Sequence, residues 1–184
     1  SEQYLGQGLY HKFNLEGEYI SSFKSVEKSN KEKFRLWTDA TYFRGELTCF
    51  QDNLIHVGRY KNYIRKYNDL GNLEFSKKVI EFEGNEEPLL IVNKRSSSRK
   101  ENVKEISGQV EVIEDKILVS FSGRNNYHYY YLDIYDENGN YEQSLRFKHP
   151  TKEFTTDGEF IYTLETHKEN MKEYLSKYKL PNIH

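Results

Sequence analysis

The residues of this sequence that are best suited to bind a polar ligand fall in one short stretch, SGRNNYHYY (122–130). Within it, Arg124, Asn126, Tyr127 and His128 combine planar side chains that can stack with both hydrogen-bond donors and acceptors. This mixture suits sugars, peptides and other polar ligands. The same letters also fit a polar hairpin loop followed by a strand that begins near residue 129, so the pattern leaves both interpretations open.

Two further loops, GRYKN (58–62) and THKEN (166–170), contain residues of the same types. In an antiparallel meander these loops and the first stretch all lie at one end of the sheets. Long loops held by a rigid scaffold are where binding usually resides. The sequence therefore predicts a ligand-binding set made of Arg59, Tyr60, Arg124, Asn126, Tyr127, His128 and His167.

Motifs for catalysis or metal binding are absent from the sequence. It contains no glycine-rich phosphate loop, no H-E-x-x-H and no G-x-S-x-G pattern, and its six histidines never fall four residues apart. Cys49 is the single cysteine, which excludes an intramolecular disulfide and a thiolate-rich metal site. We therefore predict no metal and no cofactor. Glu46, Glu111 and Glu153 are the carboxylates that an enzyme built on this fold would have to use.

The composition favours β-strands, and the net charge is close to zero. The 184 residues include 16 Tyr and 11 Phe but one Met, and large aromatic side chains pack well across pleated sheets. The formal net charge of -2 comes from well-mixed acidic and basic residues, which predicts no nucleic-acid partner. No apolar run approaches the length of a membrane span, so we predict no transmembrane segment in this chain.

A turn of one design occurs three times. An aromatic residue precedes a glycine by four positions in FNLEG (13–17), YNDLG (67–71) and YDENG (135–139). Glycine adopts the positive φ that a tight reversal needs, and Asn or Asp nearby tolerates the same region. Each copy therefore predicts a hairpin turn between two antiparallel strands.

Each turn belongs to a longer unit of four short strands, which we designate A to D. In the first complete unit the strands are ELTCF, NLIHVG, YIRKY and LEFSKKV. The units are predicted at about 4–25, 45–82, 108–147 and 152–180, with irregular linkers at 26–44 and 84–107. Repeated four-stranded units of this length are typical of β-propellers. We predict one all-β, propeller-type domain of about four antiparallel blades, two complete and two partial, with a β-sandwich as the alternative.

The segments DNLIHVG, YIRKYNDLGNLEFSKKV and DGEFIYTLE resemble the six-bladed propellers of the NHL-repeat and TolB-like type, particularly bacterial secreted or lipoprotein members. This resemblance implies an extracytoplasmic location, either periplasmic or at the cell surface. The chain departs from that family in having too few strands for six blades. It is therefore either the C-terminal part of a larger propeller or a ring of about four blades.

Three functions remain open at this stage. The first is a non-enzymatic binding or scaffold module that holds a polar ligand, a polysaccharide or a protein partner on its loops. The second is a propeller hydrolase with a site at the central axis. The third is an oligomerisation or sensor element whose open sheet edges pair with another chain.

Overall fold

The computed structural model describes residues 10–23, 44–79, 90–92, 97–99, 103–122, 129–167 and 169–181. Over these residues the protein is all-β, as predicted, with strands and turns and no helix. The strands are β1 (Tyr10–Phe13), β2 (Tyr19–Phe23), β3 (Gly45–Phe50), β4 (Asn53–Gly58), β5 (Ile64–Tyr67), β6 (Leu73–Lys77), β7 (Leu90–Val92), β8 (Ser97–Arg99), β9 (Ser107–Ile113), β10 (Lys116–Phe121), β11 (Tyr129–Asp136), β12 (Tyr141–Thr156), β13 (Phe160–His167) and β14 (Lys172–Lys179).

All strand pairs are antiparallel and join sequence neighbours. Strands β3 to β6 form a four-stranded meander, and β9 to β14 form a six-stranded sheet in chain order. Two hairpins, β1–β2 and β7–β8, complete the set of sheets among the described residues. The first meander falls within the range 45–82 that the sequence predicts for the first complete unit.

The second and third predicted units share the long strand β12. Its first half pairs with β11, its second half pairs with β13, and Thr151 pairs with both Tyr129 and Glu165. The pairing with β11 jumps from Arg146 to Thr151, so residues 147–150 form a corner at which the chain passes from one meander to the next. Pro150 fits at this corner because proline has no N–H to donate, and a residue at the corner has no ladder partner that needs one.

The three predicted turns have the same structure. Gly17, Gly71 and Gly139 have φ angles of 83°, 81° and 73°. In each turn the glycine N–H donates to the carbonyl oxygen three residues earlier, at distances of 2.9 to 3.1 Å. The residue at that earlier position is Asn14, Asn68 or Asp136, and its side-chain oxygen accepts from a backbone N–H four residues later, at 2.7 or 2.8 Å. The repeat in the sequence is thus a side-chain-capped hairpin with a glycine bulge.

The core consists of two layers on opposite faces of β9 to β11. One layer packs Ile55 and Val57 of the first meander against Ile117 and Val119 of β10. The other packs Leu118 against residues of the third unit such as Ile161. Because both faces are covered, all six residues of β10 are buried. Successive meanders stacked face to face are the arrangement of propeller blades, and the predicted fold class is confirmed.

The first strands of successive units lie side by side. Strand β3 contacts β9, and β9 contacts β12. Gln109 of β9 donates from Nε2 to the Phe154 carbonyl oxygen at 2.6 Å and accepts from the Phe154 N–H at 2.9 Å. One side chain therefore satisfies both backbone groups of a residue in the next unit.

The range predicted as an irregular linker, 84–107, is described at residues 90–92, 97–99 and 103–107. It contains the β7–β8 hairpin, and Val103 and Ile106 are buried. The sequence did not indicate this hairpin, because its second strand, Ser97–Arg99, lies in the basic, serine-rich stretch 93–104. Only the first strand, Leu90–Val92, is apolar. In the other predicted linker, residues 26–43 lie outside the described residues, as do residues 4–9 of the opening unit.

Substitution of the turn glycines should show which turn packs against a neighbouring unit. An alanine Cβ at position 139 would lie 2.6 Å from Phe75 Cε2, whereas at position 17 it would meet nothing within 4 Å. We expect Gly17→Ala to lower the free energy of unfolding by about 1 kcal/mol, from the positive φ alone. Gly139→Ala should lower it by about 2–4 kcal/mol, because overpacking is added. Equal losses in urea denaturation would contradict the packing described.

Substitution of Gln109 tests the link between first strands. Gln109→Leu leaves the buried N–H and C=O of Phe154 unpaired, and we expect a loss of about 2–3 kcal/mol in unfolding free energy. Gln109→Glu keeps the acceptor for the Phe154 N–H but loses the donor to its carbonyl. Amide hydrogen exchange at Phe154 should therefore accelerate in Gln109→Leu more than in Gln109→Glu, and the same rate in both would show that the N–H has another partner.

Candidate functional site

The described residues of the predicted binding loops lie at one end of the sheets, which we call the loop end. It contains residues 58–63 after β4, residues 103–106 before β9, the residues that flank 123–128, the corner at 147–150 and the connection at 167–171. The opposite end, which we call the turn end, contains the two-residue turns after β3 and β9 and the three glycine turns. This separation follows from the alternating direction of strands in a meander.

At the loop end, Glu105 joins three loops. Its carboxylate lies 3.3 Å from Nε of Arg59 and accepts from the hydroxyls of Tyr60 at 3.3 Å and Tyr129 at 3.0 Å. A second guanidinium nitrogen of Arg59 donates to it at 3.4 Å. Arg59 and Tyr60 belong to the loop after β4 and Tyr129 to the start of β11, so Glu105 links both of them to its own segment before β9.

Backbone hydrogen bonds fix the same loops to one another. The Ile106 N–H donates to the Arg59 carbonyl oxygen at 2.7 Å, and the Ser122 N–H donates to the Ile106 carbonyl oxygen at 3.0 Å. The Ser122 hydroxyl also donates to the carbonyl oxygen of Glu105 at 2.5 Å. The loop end is therefore held by main-chain contacts as well as by the Glu105 carboxylate.

Partial burial and charge pairing shape the electrostatics of this cluster. Partial burial acts to lower the pKa of Arg59, but the Glu105 carboxylate, together with Tyr129 and Tyr60, raises it by more, so that the pKa of Arg59 is raised. Burial and then the charge of Glu105 raise the pKa of Tyr129 well above its ordinary value. Arg59 is thus a permanent cation and Tyr129 a neutral donor over the ordinary pH range.

His167 belongs to a separate aromatic stack at the loop end. Its ring lies 3.6 Å from the ring of His149, centroid to centroid, at an interplanar angle of 20°. Its other contact is the ring of Tyr174, at 4.1 Å and 38°. His149 stands in the corner of β12, so this stack joins that corner to β13 and β14.

The structure places three of the predicted residues at the loop end. Arg59 and Tyr60 are brought together by Glu105, and His167 lies in the stack just described. Arg124, Asn126, Tyr127 and His128 lie outside the described residues, although both residues that flank them, Ser122 and Tyr129, contact the Glu105 cluster. Their membership in one binding surface stays a prediction.

Sequence reasoning missed Glu105, Tyr129, His149 and Tyr174. Glu105 fell in a predicted linker, and Tyr129 was assigned only to the start of a strand. The pattern EIS immediately before strand A of the second unit could have indicated Glu105, because a carboxylate beside a buried strand start needs partners from neighbouring loops.

Two of the carboxylates considered for an axial enzyme site, Glu111 and Glu153, differ in burial. Glu111 is half-buried, and burial raises its pKa against the opposing effect of hydrogen bonds from the Thr155 hydroxyl and the Thr156 N–H. Glu153 is exposed on β12. Within the part of the chain that the structure describes, no group of three or more His, Cys, Asp or Glu could hold a metal ion.

The raised pKa of Tyr129 predicts a loss of stability in alkali. Because its folded-state pKa is raised above the unfolded value of about 10, its contribution is complete below that pH and is lost as the pH rises through the folded-state pKa. Each such tyrosine adds about 1.4 kcal/mol per pH unit to the decline. Tyr129→Phe should flatten the decline above pH of about 10 by roughly that amount, as measured by urea denaturation. An unchanged slope would contradict the burial of the Tyr129 hydroxyl.

Comparisons with known proteins give weak structural similarity alone. No protein-family model and no curated protein matches the chain. Among solved structures, Hsv2 of Kluyveromyces lactis is 12% identical with a TM-score of 0.44, over 75% of this chain and 33% of that one. The WD40 domain of Pan2 from Neurospora crassa is 9% identical with a TM-score of 0.40, over 72% and 35%.

BamB from Moraxella catarrhalis is 10% identical with a TM-score of 0.28, over 67% of this chain and 40% of that one. The chain thus spans about a third of the length of the first structures it matches. Similarities at this level identify neither a family nor a function. Over the described residues, the protein contains no helix long and apolar enough to cross a membrane.

Proposed function

We propose that this protein is a non-enzymatic binding module that holds a protein partner on its loop end. The observation that carries the proposal is that Glu105, in the segment before β9, joins the loop after β4 to the start of β11 through Arg59, Tyr60 and Tyr129. The loss of conformational entropy is a main cost of using a loop as a recognition surface. Loops that are already cross-linked in this way lose little entropy on binding.

The residue types at the loop end favour a protein over other polar ligands. Arg, Tyr and other aromatic residues are enriched where protein interfaces have most of their binding energy. The side chain of Arg59 is 28% exposed, so its paired guanidinium still has an accessible face. The His149–His167–Tyr174 stack offers a second flat aromatic surface. A polysaccharide, which would use the same stacking surfaces, is the competing ligand that the experiment must separate.

Residues 123–128 complete the proposed surface. Their flanking residues, Ser122 and Tyr129, are both fixed to the Glu105 cluster, so the loop between them starts and ends on the surface. Arg124, Asn126, Tyr127 and His128 are the side chains that we propose to contact the partner. In this proposal Glu105 positions the loops and Arg59, Tyr60 and His167 contribute at the margins.

The finer identity suggested by the sequence is part of the same proposal. A propeller of the six-bladed NHL-repeat or TolB-like type, in a bacterial secreted or lipoprotein setting, would be extracytoplasmic and would expose this end to partners.

Site-specific photo-crosslinking tests the proposed surface. A photoreactive phenylalanine analogue is placed at Tyr127 on the loop end and, as the matched control, at the exposed Leu70 on the turn end. We expect Tyr127 to yield a discrete crosslinked protein in the cells that produce the chain, identified by mass spectrometry, and Leu70 to yield none of it. Arg124→Ala combined with His128→Ala should then weaken binding of the purified partner by about tenfold or more.

Two results would contradict this function. Crosslinking from Leu70 with the same yield would show that the loop end is not the recognition surface. Specific binding on a glycan array that is lost in the same double variant would show that the ligand is a polysaccharide.

A further inference from the structure

Four aromatic rings and one guanidinium form a cluster where Tyr10 of β1 packs on the first meander. The ring of Tyr10 lies 5.4 Å from that of His56 and 5.6 Å from that of Tyr67, centroid to centroid. The ring of His56 lies 5.3 Å from that of Tyr63. Together with Arg65 these residues form what we call the tyrosine–arginine cluster. It shares no residue with the Glu105 cluster at the loop end.

The guanidinium of Arg65 is oriented by two neighbours. Its Cζ lies 3.9 Å from the ring centroid of Tyr63, and its Nε donates to the Ser76 hydroxyl of the neighbouring strand at 3.3 Å. The planar fork of an arginine that is already held in this way loses little freedom when a ligand binds.

Two hydrogen-bond donors of the cluster are buried without an acceptor. Within the part of the chain that the structure describes, the Tyr63 hydroxyl and Nη1 of Arg65 are shielded from solvent and have no hydrogen-bond partner. The Tyr63 residue as a whole is 6% exposed. A buried donor that lacks an acceptor costs free energy, and a charged donor costs more. A group that accepts from both donors would remove this cost.

The charge of Arg65 acts on two of the tyrosine hydroxyls. Burial raises the pKa of Tyr63 and that of Tyr10, and the positive charge of Arg65 opposes the rise at both residues. Because such an influence falls with distance, the guanidinium lies close to both hydroxyls. With its pKa raised, Tyr63 keeps its O–H proton over the ordinary pH range and remains a donor.

A single positive charge determines which acceptor fits. Arg65 is the one permanently charged side chain among the five, so a monoanion balances the cluster. A phosphate group, with a charge of about -1.5 to -2, would leave excess negative charge in a buried place. A carboxylate has one negative charge and two oxygens, one for Nη1 of Arg65 and one for the Tyr63 hydroxyl. Arg65 is partly exposed, which gives a carboxylate access from solvent.

We propose that the Tyr63 hydroxyl and Nη1 of Arg65 bind the carboxylate group of a ligand, either a free organic acid or the acidic side chain of a peptide. Tyr63 and Arg65 are the binding residues, and Ser76 positions the guanidinium. The proposal does not depend on the recognition surface at the loop end, because the two sites have no residue in common.

Titration of the full chain with benzoate tests the site. Binding is followed by saturation-transfer NMR on the benzoate signals and by the Nε–H signal of Arg65, which is assigned by its loss in Arg65→Met. We expect saturable binding of benzoate and none of benzamide, its neutral counterpart of similar shape. The blocked peptide acetyl-Gly-Glu-Gly-amide, with its Gln form as the control, tests the other source of a carboxylate. The probe that binds more tightly identifies the source.

The variants separate binding from structure. Tyr63→Phe should weaken benzoate binding by about tenfold or more. Without benzoate, the same variant should have an unchanged or higher midpoint of urea denaturation, because the hydroxyl that it removes has no partner to lose. Arg65→Met should abolish binding. The matched control Arg146→Met, whose guanidinium lies 6.0 Å from the ring of Tyr131, should bind benzoate as tightly as the parent.

Several results would overturn the proposal. Equal binding of benzoate and benzamide would show that charge plays no part. Tighter binding of inorganic phosphate than of benzoate would show that the site is built for a dianion. A lower stability of Tyr63→Phe without benzoate would show that water already satisfies the hydroxyl, and so would a parent chain that binds neither benzoate nor the peptide.

Discussion

The central constraint on this structure is the burial of the second meander on both of its faces. Strand β10 has no exposed residue, so each of its faces must be covered by a different unit. Odd-numbered residues such as Ile117 and Val119 pack on the first meander, and Leu118 packs on the third unit. A pleated strand can satisfy two apolar layers at once only if sheets are stacked on either side of it. The order of the units along the chain is therefore also their order in space.

The links between units are polar and local, and they complement the apolar layers. The side-chain amide of Gln109 in β9 hydrogen-bonds both backbone groups of Phe154 in β12, as a neighbouring strand would. The turn at Gly139 packs against the ring of Phe75 in the first meander. Lys77 of β6 also donates to Asn140 at 3.3 Å. These contacts fix the position of each unit along its neighbour. Apolar packing alone leaves that position undetermined, because the hydrophobic effect is non-directional.

The two ends of the sheets have different physical characters. At the loop end, polar groups from several loops satisfy one another through Glu105, which gives a rigid surface. At the turn end, compact turns capped by Asn68 and Asp136 leave the face of the first meander accessible beside β1. A preformed polar surface suits recognition of a folded partner.

The sequence by itself determined the local elements, because each rests on contacts between near neighbours. The spacing of Tyr67 and Gly71 was enough to predict the turn, and the apolar segment NLIHVG was enough to predict β4. The repetition of four-stranded units was enough to predict the class of fold. The tertiary structure decided what lies next to what. Glu105 meets Arg59 and Tyr129 across 46 and 24 residues of chain, and β12 passes between two units without a break. Such pairings depend on how sheets stack, and no pattern within one strand encodes the identity of its distant neighbours.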